Sequence, residues 1–254
     1  MTETTNSADR IRAVLVLLAT LGMIAFNALA ATGYVNGVTP EIISNKYPTV
    51  LTPAGYAFSI WSLIYLGMIA FSIYQLLPAC VARFRHVRTL YIASCAFNCA
   101  WIYFWHREQL EICLVLIVGL LVTLMLMLAR LRIAASVGEA LFTKAPFGIY
   151  AGWVTAAALV NFVILLKATG VELSPRGWNA VGVACILIAA AAAVIVRISL
   201  RNYLYPIAIS WAVTAIAVKQ SGNTPIVFAA AFAAVVGLVT AGSVVTNLKD
   251  STSE

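Results

Sequence analysis

Charge is scarce in this sequence. Asp, Glu, Lys and Arg make up 10% of its 254 residues, against about 25% in a soluble domain. With 63% hydrophobic residues and a mean hydropathy of +0.97, a water-exposed globular fold is excluded. The nine acidic residues all fall in loops, tails or at the ends of apolar runs; Glu108 and Glu111, for example, flank the start of one. Ion-coupled pumps and proton relays place carboxylates inside the membrane, so a proton-driven transporter is not expected. Histidine occurs twice, as His86 and His106 in separate loops, which excludes joint ligation of a metal or haem. No nucleotide-binding glycine loop, metal-ligand spacing or Ser/His/Asp set is present. Cysteine contributes no CxxC pair; Cys95 and Cys99 are i, i+4 neighbours with no histidine or acid beside them, and read as small packing residues.

What the sequence has is long apolar runs, several reaching the roughly 20 residues a helix needs to cross a bilayer. Runs such as Leu110–Leu131 do not alternate, so a β-barrel is not expected. The patterning predicts an all-α integral membrane bundle of about eight helices: from Arg12 to Ala31, Gly55–Leu77, Leu90–Trp105, Leu110–Leu131, Pro146–Lys167, Trp178–Ile198, Tyr203–Val218 and Pro225–Val245. The first run is read as a retained helix rather than a signal peptide, being long for an h-region and carrying Asn27 near its end. Residues 1–10 read as a disordered tail, 246–254 as a polar tail, and the long loop Gly33–Thr52 as a lid.

The net charge of +7 sits in short loops and is read as a topology signal, so no nucleic-acid partner is expected. Eleven basic residues fall on the side of the termini and five on the other, which places both termini in the cytoplasm.

Aromatic residues and amides recur at helical spacing. Phe58, Trp61 and Tyr65 are i, i+3, i+7, as are Asn98, Trp101 and Trp105; Tyr150, Trp153, Ala157 and Asn161 follow one face of the fifth run. An amide in hydrocarbon must find a partner, so these faces are expected to turn inward. Such a set either fills a helix bundle, with Asn98 and Asn161 hydrogen bonding between helices, or encloses a flat apolar ligand.

Three of these stretches resemble motifs of the translocator protein family (TspO/MBR, the tryptophan-rich sensory proteins). TPAGYAFSIWSLIY is similar to its helix 2, NCAWIYFW to its helix 3 and YAGWVTAAALVN to its helix 5, in that order. The chain departs from the family pattern at Ala54, Trp105 and Ile149, and has no tyrosine between Phe162 and Arg176 for the sterol motif of animal members.

The resemblance implies a five-helix unit over residues 11–167, followed by three additional helices over 178–245. It further implies a receptor or sensor in the bilayer of a bacterial plasma membrane. This would bind a flat hydrophobic small molecule such as a porphyrin or related tetrapyrrole, with no cofactor required and a homodimer expected. Phe58, Trp61, Tyr65, Asn98, Trp101, Tyr150, Trp153, Ala157 and Asn161 would line or brace the pocket. The alternatives are a small-molecule carrier or channel using helices 6–8, marked by a short seventh helix with Pro206, and a tetrapyrrole-modifying enzyme. Helices 1–5, which carry every aromatic–asparagine face, are expected to pack as a largely self-contained unit.

Overall fold

The computed structural model describes residues 6–243, and among these every regular element is helical. The long helices are α1 (Ser7–Ala31), α3 (Ile60–Tyr74, entered through a 3-10 turn over Gly55–Ser59), α5 (Arg85–Trp105), α6 (Leu110–Arg130), α8 (Ala145–Ala168), α9 (Pro175–Leu200), α10 (Leu204–Lys219) and α11 (Thr224–Gly242). Short helices α2 (Pro40–Lys46), α4 (Pro78–Val81) and α7 (Val137–Glu139) lie between them, and a π-helical turn over Ala140–Lys144 joins α7 to α8. Among the described residues six segments are long and apolar enough to cross a membrane. The other two long helices are α10, with 16 residues, and α5, whose first turn carries Arg85, His86 and Arg88.

Local chemistry sets several boundaries. Sequence patterning gives residues 1–10 to a disordered tail, but α1 starts at Ser7. The reason is a capping box: the Asn6 side chain accepts from the Asp9 N–H, and Asp9 accepts from the Asn6 N–H. Residues 1–5 and the expected polar tail 246–254 lie outside the described residues. α9 opens on Pro175 after Ser174, whose hydroxyl accepts from the Gly177 N–H, and closes on Arg201 in the left-handed region (φ 51°).

The chain forms two compact units. One holds the chain up to Lys46 together with Ser59–Phe147; the other holds Tyr47–Phe58 together with the chain from Gly148 on. Within the first, α1 packs on α3 and α5, and α5 on α6. Its core is aromatic: Phe71 lies 4.8 Å from Phe147 and 5.1 Å from Tyr91, centroid to centroid. Beside it the hydroxyls of Thr20, Ser72 and Tyr91 interact with one another across α1, α3 and α5. Near one end Arg88 is completely buried and donates to Gln75 Oε1 (2.8 Å) and the Val81 carbonyl (2.6 Å), while Gln75 donates to the Ala13 carbonyl (2.8 Å). A buried guanidinium is tolerated because carbonyls replace its water.

Within the second unit, α9, α10 and α11 pack together and α8 meets α10. A Cβ at Gly152 would lie 2.6 Å from the Tyr205 carbonyl, so only glycine lets the two backbones approach so closely. The Thr155 and Tyr205 hydroxyls lie 2.7 Å apart across the same contact. Sequence patterning groups helix 5 with helices 1–4. Most of that helix, from Gly148 onward, instead belongs with α9–α11, because its glycine and threonine face supplies close-packing partners for α10.

Candidate functional site

In the first unit, Trp61 and Tyr65 are stacked on α3, with centroids 5.5 Å apart and ring planes 22° apart. Both are half-buried. On α5, Trp101 and Trp105 form a second stack (5.4 Å, 19°). Both pairs are i, i+4, one helical turn apart. Asn98 sits a turn earlier on α5 and accepts from Asn27 Nδ2 of α1 at 2.7 Å; Asn27 also donates to its own Met23 carbonyl.

The first half of the expected lid is anchored to this end of α5. Trp105 Nε1 donates to the Pro40 carbonyl (3.2 Å), Asn36 Nδ2 to the His106 carbonyl (2.9 Å), and Lys46 pairs with Glu108 (2.6 Å). Asn36 and Gly37 both have positive φ, and they turn the chain into α2, an element the loop composition concealed.

In the second unit, Phe58 lies in the 3-10 turn rather than on α3, so it does not continue the Trp61–Tyr65 face. Its ring meets Trp153 of α8 edge-to-face (6.0 Å, 76°). Neighbouring Tyr56 contacts Trp211 of α10 in the same manner (5.3 Å, 81°), and Trp211 Nε1 donates to the Ala57 carbonyl (3.1 Å). Tyr150 is buried, and Asn161 donates to the Ala157 carbonyl of its own helix at 2.9 Å.

Residues 47–58, the second half of the expected lid and the start of the helix 2 motif, are strapped down by hydrogen bonds. Lys167 Nζ donates to the Pro48 carbonyl (2.6 Å), Gln220 Nε2 to the Thr49 and Thr52 carbonyls (3.0 and 3.3 Å), and the Ala54 N–H to the Ala215 carbonyl (2.9 Å). Leu51 of this strap closes an apolar pocket against Ala156, Val160, Cys185, Ala189 and Val213. The pocket's free interior of about 10 Å³ is that of a single water and too small for a tetrapyrrole.

The nine residues singled out by spacing thus divide. Trp61, Tyr65, Asn98 and Trp101 lie in the first unit, and Phe58, Tyr150, Trp153, Ala157 and Asn161 in the second. Direct pairs among them include Trp61 with Tyr65, Phe58 with Trp153, and Ala157 with Asn161. Sequence spacing missed Asn27 as the partner of Asn98, and Trp211 as the partner of Tyr56 and Ala57 beside Phe58. Asn27 carried a signal, an amide within an apolar run; Trp211 carried none beyond its residue type. Among the described residues no cluster of three or more His, Cys, Asp or Glu is placed to hold a metal ion.

Comparison with known proteins agrees with the all-helical membrane architecture. No curated protein and no solved structure matches the chain. A family profile described as TSPO-like protein matches residues 13–244, running through α9, α10 and nearly all the described chain, well past Lys167 where the motif resemblance stopped. This is an integral membrane protein, and it belongs to the TSPO-like protein family.

Proposed function

We propose that the protein binds a flat hydrophobic ligand, such as a porphyrin, within its membrane helices and reports or moves it. The observation that carries this reading is the half-buried Trp61–Tyr65 stack, which presents a flat aromatic surface without a charged group in either ring. A planar macrocycle gains both area burial and stacking on such a surface. Membership of the TSPO-like protein family supports it.

Titration of the purified protein with protoporphyrin, followed by tryptophan fluorescence, tests the proposal. Trp61→Ala is expected to weaken binding by about 1–3 kcal/mol, the scale of a stacked, buried aromatic. Trp178→Ala, at the first turn of α9, is the control and is expected to leave affinity unchanged. Equal losses in both variants would mean general destabilisation and would remove the support for this site. A carrier reading is favoured by α10, a short helix that holds Pro206 in its first turn and is tied by Trp211 to the Tyr56–Ala57 turn. Porphyrin flux into liposomes separates a carrier, which gives flux, from a sensor, which gives binding alone.

A further inference from the structure

We propose that Arg197 forms the centre of a phosphate site for an anionic phospholipid at the end of α9. Arg197 lies one turn before the end of this 26-residue helix, at the depth where a spanning segment leaves hydrocarbon for headgroups. It is only 6% exposed. Its guanidinium lies over the ring of Tyr203, 4.0 Å from the centroid, so the group is held flat and cannot turn freely. The left-handed turn at Arg201 (φ 51°, ψ 38°) brings that ring back over the helix.

Two nitrogens of this guanidinium, Nε and Nη2, are buried without a hydrogen-bond partner. They share one edge of the planar group, with N–H bonds pointing the same way, and this edge grips two oxygens of a carboxylate or phosphate at once. Among the described ion pairs the basic partners are Lys46, Arg83 and Arg85, and none of these pairs involves Arg197. Arg88 provides the internal contrast. It too is buried, but its Nε and Nη2 are taken by Gln75 Oε1 and the Val81 carbonyl. The chain therefore satisfies this same edge where the arginine is a structural brace, and leaves it without a hydrogen-bond partner at Arg197.

A buried charge with no counter-charge is strongly disfavoured, so an oxyanion at this edge is favoured. At the membrane boundary the abundant two-oxygen anion is the lipid phosphodiester, and basic sites between helices at this level take anionic headgroups. The adjacent exposed Arg201 adds attraction for a net negative lipid without supplying the buried fork.

Native mass spectrometry of the full chain in detergent, with phosphatidylglycerol, phosphatidylcholine or inorganic phosphate added, tests the site. The native protein is expected to retain phosphatidylglycerol at least about tenfold more than Arg197→Gln, since the fork and its charge are both lost. Arg197→Lys keeps the charge without the fork and is expected to retain at least about threefold less than the native chain. Arg201→Gln is expected to stay within about twofold, being an exposed charge. Undiminished retention by Arg197→Gln would overturn the site. Should that variant fail to fold by circular dichroism, Arg197→Lys decides: native-level retention overturns the proposal. An equal loss in Arg201→Gln would show unspecific attraction of charge. Binding of inorganic phosphate with equal strength would make this a site for a free anion, and phosphatidylcholine retained as well as phosphatidylglycerol would remove the preference for an anionic lipid.

Discussion

The amide pair Asn27–Asn98 illustrates how single residues hold this protein together. The pair links α1 to α5 through a 2.7 Å amide hydrogen bond in an apolar interior, beside the bond Asn27 makes to its own Met23 carbonyl. Interhelical hydrogen bonds in membranes contribute about 0.6 kcal/mol on average and up to about 1.7. Asn98→Leu is accordingly expected to destabilise the first unit by about 1–2 kcal/mol, since it leaves the Asn27 amide half-satisfied. The double replacement with Asn27→Leu is expected to cost less than the sum of the two single changes. Thermal unfolding of all four proteins in one detergent measures the coupling. Helical spacing was enough to mark Asn98 as an inward amide in need of a partner. The partner itself was not legible, because spacing along one helix carries no information on which other helix lies opposite. The same limit applies to Trp211, whose contact with Ala57 joins residues 154 positions apart.

At the level of elements, the helices were legible and the segments between them were not. Apolar periodicity located all eight long helices, because a hydrocarbon environment imposes a length and a composition on each. The loop Gly33–Thr52 reads as a lid from composition, but it contains α2 and ends in a strap fastened by side-chain donors. Those donors, Lys167 in the last turn of α8 and Gln220 at the C-cap of α10, lie at helix ends in other parts of the sequence, where they pass for solvated residues. Gln220→Ala removes both hydrogen bonds to the strap, each contributing about 0.5–1.5 kcal/mol. Amide hydrogen exchange of residues 47–54 is expected to quicken by roughly tenfold, with α9 and α11 unchanged. Exchange at the native rate would mean that Lys167 and the Ala54–Ala215 bond hold the strap alone.

For the whole molecule, the motifs divide the chain differently from the packing. Motif resemblance set a boundary near Lys167, whereas the family match continues to residue 244 and most of helix 5 packs with the three helices after it. The cause is a face of glycine and small residues on α8, which composition alone leaves indistinguishable from a lipid-facing surface. A chain ending at Ser174 loses Tyr205, Trp211 and Gln220, the partners of Thr155, Ala57 and Thr49. It is expected to keep the first unit resistant to limited proteolysis while residues 47–58 are cleaved readily; a strap protected as in the full chain would restore the self-contained five-helix unit. The basic-residue asymmetry further predicts Ser7 in the cytoplasm and Asn36 outside. Cysteine placed at each position in a cysteine-free background, labelled on intact cells with an impermeant reagent, is expected to react at residue 36 alone. The strap also sets a timetable for biogenesis. Thr49 and its hydrogen-bond partner Gln220 are 171 residues apart. At roughly 5–20 residues per second, a nascent chain that has already exposed the strap waits roughly 10–30 s for its fastening to be made. During that interval the partly apolar segment is unclasped, so the ribosome's pace decides how long the unfinished protein is open to proteases and insertion factors.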